Sequence, residues 1–141
     1  MALSENSTTI VEKQSPYSMR QDFPVAAGAH LYQGAIVCID ADGFAVAGAD
    51  TAGFIVIGKC EVESDNSSGA DGDINVTVFA GIFGPYTNTG TTIAQTNVGT
   101  ICGIVDDEAV TLAVTNIAAG RIYEVTSDGV FVAMIYPASS L

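Results

Sequence analysis

Two stretches, Gly34-Ala-Ile-Val-Cys-Ile-Asp-Ala-Asp-Gly-Phe-Ala-Val-Ala47 and Gly120-Arg-Ile-Tyr-Glu-Val-Thr-Ser-Asp-Gly-Val-Phe-Val-Ala133, align without a gap. Each reads as a glycine, an apolar strand, an Asp-Gly turn and a second apolar strand, which is the strongest short-range signal for a β-hairpin. The identities fall at structural positions: Gly34/Gly120, Ile36/Ile122, Asp42/Asp128, Gly43/Gly129, Val46/Val132 and Ala47/Ala133. Ala35 against Arg121 and Cys38 against Glu124 differ, so the pattern encodes a shape and not a chemical site.

Working outward, period-two segments predict strands over 35–40, 44–47, 53–62, 73–80, 100–105, 110–115, 121–126 and 130–135. β-branched residues dominate them, and Gly, Asp and Asn clusters separate them at short spacings, as in a sandwich or barrel. Only 91–97 has a pattern compatible with a short helical turn. The fold class expected is therefore all-β: a compact, hairpin-rich sandwich or partly open barrel, a β-tulip among the arrangements, with an extended N-terminal arm. Residues 1–24 form that arm and residues 25–141 a single β domain. The arm is rich in Ser, Thr, Asn and Gln and contains Pro16 and Pro24. It nevertheless carries Ile10, Val11, Tyr17, Met19 and Phe23, apolar residues that suit an arm ordered on a partner better than a solvated tail.

Composition restricts the partners. The 141-residue chain has four Lys+Arg against sixteen Asp+Glu and a net charge of −12. Binding to phosphate backbones or anionic lipid requires basic residues that displace counterions, so neither direct nucleic-acid binding nor membrane-surface binding is expected. No basic leader followed by an apolar run opens the sequence, and its apolar runs have strand length. Cys38, Cys60 and Cys102 are odd in number and widely spaced inside strands, which suits reduced core thiols made in a reducing cytoplasm. So few lysines are available to guard sheet edges that neighbouring chains are expected to cover them, which favours an oligomer.

Candidate chemistry is sparse. Asp106-Asp107-Glu108 groups three carboxylates, but neighbours in one turn point apart and the segment reads as a solvated hairpin turn. Asp40-Ala-Asp42-Gly43 has the first half of a calcium loop without its downstream ligands. Asp65-Asn-Ser-Ser-Gly-Ala-Asp-Gly-Asp73 crowds hard oxygen ligands into one loop at no recognised spacing, so a polar loop is the simpler reading. His30 is the only histidine and has no G-x-S-x-G or metal-ligand pattern beside it. The glycine pair in Gly48-Ala-Asp-Thr-Ala-Gly53 precedes no Lys-Ser/Thr and no helix, unlike a P-loop. The expectation is a non-enzyme without catalytic residues, cofactor or metal.

The run Tyr32-Gln-Gly-Ala-Ile-Val-Cys-Ile-Asp-Ala-Asp-Gly-Phe-Ala-Val, then Asp50-Thr-Ala-Gly-Phe-Ile-Val-Ile-Gly58 and Asp65 to Asp73 ahead of a Val-rich strand, resembles the capsid cement or head decoration proteins of tailed bacteriophages and prophages. Asn97-Val-Gly-Thr-Ile-Cys-Gly-Ile-Val-Asp-Asp-Glu-Ala-Val-Thr-Leu and the closing hairpin from Ala119 continue the likeness, which spans roughly residues 25–136. The resemblance implies a homotrimer on the outside of an icosahedral head, at three-fold and quasi-three-fold positions between capsomers of the major capsid protein. It would bind after shell expansion and hold capsomers together against packaged DNA. The chain would be made and assembled in the bacterial host cytoplasm and reside on the outer surface of the virion. The arm would lie over a capsid subunit, with Ile10, Val11, Tyr17 and Phe23 as capsid-binding anchors. A trimeric β module of a phage tail or fibre is the alternative that shares this composition. A small hydrolase or ligand-binding β barrel is a more distant one.

Overall fold

In a computed structural model residues 2–13 and 19–134 are described, and among them the chain forms twelve strands. They are β1 (Val11–Lys13), β2 (Met19–Pro24), β3 (His30–Leu31), β4 (Ile36–Ile39), β5 (Ala45–Ala47), β6 (Ile55–Cys60), β7 (Ser64–Asp65), β8 (Asn75–Asn88), β9 (Ile101–Asp106), β10 (Ala109–Thr111), β11 (Ala118–Thr126) and β12 (Gly129–Met134). A single 3-10 turn covers Gln95–Asn97, inside the segment expected to turn helically. Tyr17 and Ile135 lie outside the described residues.

The architecture is organised by β8. Its C-terminal half joins β12, β11, β9 and β10 in antiparallel order, and β10 returns to pair in parallel with Thr87 and Asn88, closing a five-stranded barrel. Its N-terminal half leaves the barrel and carries an outer sheet, with β2 on one edge and β6, then β4 and β5, on the other. The fold is therefore all-β with a closed barrel and further strands outside it. Closure removes the barrel's edges, which is one solution to having few edge lysines.

Period-two alternation explains how the two parts stack. Ile36, Cys38 and Val56 belong to the barrel-side core with Phe83, Tyr86, Ile122, Val130, Val132 and Met134. Ala35, Val37 and Ile57 belong to a second core with Val25, Leu31, Val76 and Val78. Successive side chains of a strand point to opposite faces, so β4 and β6 are buried on both sides. Their nearly continuous apolar sequence follows from that placement.

Both hairpins of the opening pattern form, but they are not superimposable. In the first, Cys38 pairs with Val46 and residues 40–44 make the connection, closed by Asp40 N–H donating to Phe44 O (2.9 Å). In the second, Thr126 pairs with Gly129 across a two-residue turn, and Ile122 pairs with Val132. The aligned partner of Glu124 would have been Val132; the tighter turn slides it by one residue, to Phe131, and a bulge at Tyr123 adds a second step, so that Ile122 meets Val132. Beyond Tyr123 the bulge thus restores the facing that a one-residue slip alone would reverse.

The predicted strand 73–80 ends too early, because β8 continues to Asn88 through Gly81, Gly84 and Pro85. Those residues look like breakers in sequence. At Gly84 a Cβ would stand 2.6 Å from Val130 O and 2.8 Å from Phe131 Cα, so the glycine permits close approach of β12 instead of ending the strand. The Gly84–Pro85 bond is cis.

Candidate functional site

The N-terminal segment holds every residue expected to contact a partner, and the structure lays it along its own chain. β1 pairs with Ile82–Gly84 and β2 with Asn75–Ala80, so both halves of the arm use β8 as their template. Ahead of β1, Ser7 N–H donates to Gln33 O (2.8 Å) and Gln33 N–H donates to Asn6 Oδ1 (2.8 Å). The arm is extended, as expected, but it is not a free tail. Ile10 is partly buried against the barrel core, and Phe23 is partly buried against the second core. Val11 remains 48% exposed and Met19 57% exposed. Tyr17 lies outside the described residues. Of the expected anchors, the structure therefore leaves Val11 on the surface, and it adds Met19, which the sequence reading noted only as an apolar residue of the arm.

A cleft of about 540 Å³ opens where this segment crosses the barrel, lined by Ser7, Thr9, Ile10, Pro85, Thr87, Glu108 and Asp128. Its polar groups are hydroxyls and two carboxylates. No histidine, cysteine, lysine or arginine is among these lining residues, so the wall offers hydroxyls and carboxylates.

The acidic turn at the neck of this cleft differs from its sequence reading. Asp106 Oδ1 accepts Glu108 N–H (3.0 Å), as a solvated turn would have it. Asp107, however, is buried, at 3% exposure, and its Oδ1 accepts the N–H of Leu3 (2.9 Å). Burial pushes its carboxyl up to about 6, helped by the neighbouring charges of Asp106 and Glu108 and opposed by the Leu3 hydrogen bond. The middle carboxylate is thus a latch for the N-terminus and not part of a solvated turn.

The other acidic loops are held by their own main chain. Asp40 Oδ1 accepts the N–H groups of Asp42 and Phe44 (3.0 Å each). In the 65–73 loop, Asp65 accepts Ser67 N–H (2.9 Å), Asp73 accepts Ala70 N–H (2.9 Å) and Asp71 accepts Ala27 N–H (2.7 Å). Buried Asn66 ties the loop down, its Nδ2 donating toward Val25 O, Ala26 O and Ala70 O at 2.9–3.2 Å. Carboxylates spent separately on turn N–H groups do not converge on one cation. Among the described residues, no group of three or more His, Cys, Asp or Glu side chains is placed to hold a metal ion.

His30 stacks on Tyr32 (4.1 Å between ring centres), while its Nε2 meets Glu63 Oε2 at 2.7 Å and its Nδ1 lies 3.8 Å from Asp65 Oδ1. Glu63 also accepts Asn6 Nδ2 (3.0 Å), and the hydrogen bonds from His30 and Asn6 hold its carboxyl below the usual range. This group fastens the arm to β3 and to the start of β7. The three cysteines are free and buried, and burial pushes each thiol up to about 12. Among the described residues no helix is long and apolar enough to cross a membrane.

No family model matches the chain, and neither a curated protein nor a solved structure matches it.

Proposed function

We propose that the chain is a structural virion protein that decorates the outside of an icosahedral phage head as a homotrimer and stabilises the expanded shell. The support is the ordered hairpin pattern over residues 25–136, together with an arm that presents exposed Val11 and Met19 on strands paired with β8. Apolar side chains held on strands that are already paired bind without a further ordering cost. A trimer multiplies a modest contact per chain into high avidity. The partner is the major capsid protein, and the −12 net charge suits an outer surface distant from DNA. On this reading Ile10 and Phe23 support the arm from beneath, and Val11 makes the contact.

The test is co-sedimentation of the purified chain with expanded and with unexpanded phage shells. Saturable binding to the expanded shells alone is expected. Equal binding to both, or to neither, would contradict the proposal.

A further inference from the structure

β2 presents an uninterrupted main-chain edge. One side of its six residues pairs with β8 without a register shift, from Met19 opposite Ala80 to Pro24 opposite Asn75, and among the described residues no strand pairs with the other side. At the end of this ladder Val25 N–H donates to Ile74 O (2.9 Å). Main-chain groups alternate sides along a strand, so Met19, Gln21 and Phe23 turn theirs to β8, whereas Arg20 and Asp22 turn theirs outward. No lysine or bulge guards this edge, and its only proline is the last residue.

We infer that β2 pairs with β2 of a second copy of this chain, antiparallel about a two-fold axis at Gln21. That register sets Arg20 opposite Asp22 of the second copy, and Asp22 opposite its Arg20, with main-chain hydrogen bonds exchanged at both pairs. Opposite residues in such a ladder have Cβ atoms about 4.5–5.5 Å apart, close enough for two symmetric ion pairs. Shifting by one residue would match outward-turned groups with inward-turned ones. Shifting by two, in either direction, would set Arg20 against itself or Asp22 against itself. The strand is therefore self-complementary in one register.

Both faces fit. On one, Arg20 lies over the Phe79 ring (4.7 Å) and 4.0 Å from Glu61 Oε1, its side chain 59% exposed, and Asp22 accepts the Thr77 hydroxyl (2.7 Å). Both charged groups share this face of the sheet; in the single copy they lean toward β8, and on pairing their exposed side chains turn to the second copy. On the other face, Met19, Gln21 and Phe23 line a shallow apolar groove with Ile57, Val78 and Ala80. Two-fold pairing sets Met19 opposite Phe23 and carries the groove across the axis. A contact of two short strands is smaller than a standard stable interface, so it is weak between free chains and grows where copies are crowded. Resting on the proposed trimer, a two-fold contact of this kind would link neighbouring trimers; the pairing itself does not depend on the shell.

The experiment is disulfide trapping of Gln21→Cys in the isolated full chain under mild oxidation, with Val62→Cys, at a 61% exposed position, as the reference. Gln21 faces its own copy across the axis in a pair without main-chain hydrogen bonds, where side chains approach most closely. The native thiols are buried and do not compete. Covalent dimer should form at least about tenfold faster than in the reference, the gain expected from a raised effective concentration of thiols. Adding Arg20→Asp should abolish the gain, and adding Asp22→Arg to that variant should restore it, with circular dichroism showing each variant folded. Trapping no faster than the reference would overturn the inference, as would trapping that ignores Arg20→Asp or is not rescued by the charge swap. Shell co-sedimentation is read separately, so failure here leaves the decoration proposal standing on its own test.

Discussion

The buried carboxylate of Asp107 accepts the main-chain N–H of Leu3 at 2.9 Å, across 104 positions of sequence. The start of the chain is thereby fastened to the β9–β10 turn of the barrel. Because burial raises the folded-state pKa to about 6 from an ordinary 3.8, the native state holds a proton there that the unfolded chain has released. This group's contribution to stability therefore falls as pH rises from about 4 to about 6, and above that the penalty is constant. Asp107→Asn keeps an acceptor for Leu3 and removes the titration. Its stability relative to the natural chain should rise over that pH window and level off near neutrality. Urea melts of both proteins across pH 4 to 8 check this, and a difference independent of pH would contradict it.

Asn66 is the second fastening. Its amide donates toward three carbonyls, and a Cβ on Gly69 would stand 2.0 Å from Asn66 Oδ1. Each of these carbonyls also accepts a main-chain N–H, from Gly72, Ala29 and Asp73 in turn, so Asn66→Ala removes hydrogen bonds without stranding an acceptor and should cost about 2–4 kcal/mol, at roughly 0.5–1.5 kcal/mol for each bond lost. Gly69→Ala should destabilise in the same direction. Chemical denaturation measures both, and a loss below about 0.5 kcal/mol, the range of ordinary surface changes, would remove Asn66 from the scaffold.

Tyr86 joins the two parts of the fold, since its hydroxyl, fully buried in the barrel core, donates to Gly34 O at 3.1 Å, where the first hairpin begins. Tyr86→Phe should cost about 1–2 kcal/mol by stranding that carbonyl, while Tyr86→Ala should cost about 3–5 kcal/mol through the cavity as well.

The buried thiols give a check on folding. Cys38, Cys60 and Cys102 should resist aromatic disulfide reagents at pH 8 in the native chain and react together on unfolding, because thiolate is the reactive form and burial suppresses it. Rapid reaction of one thiol under native conditions would show that its strand opens locally.

How much of this was legible in the sequence follows from what each residue faces. The hairpins at 36–47 and 118–134 were legible because their apolar sides pack on cores and keep period two. The register of the second was not, since neither its shorter turn nor the bulge at Tyr123 shows in the apolar pattern. β1 and β2 escaped detection because β8 templates them while most of their side chains stay in solvent, so alternation is missing. The latch at Asp107 was hidden for a different reason. Nothing local distinguishes a buried turn carboxylate from a solvated one when its partner lies at the other end of the chain. Of the expected anchors, Ile10 and Phe23 are partly buried in their own domain, and an apolar residue that serves its own core reads in sequence like one that serves a partner.

Trimer formation should appear as a mass of three chains in light scattering at micromolar concentration. A stable monomer under those conditions would count against a trimer formed before it meets the shell.

Cryo-electron microscopy of expanded shells saturated with the purified chain is the most direct measurement. Barrel-shaped density in groups of three at three-fold and quasi-three-fold positions, with the arm side toward the shell, is expected. Shells whose outer surface lacks that density, or density confined to a tail or portal vertex, would contradict the proposed function.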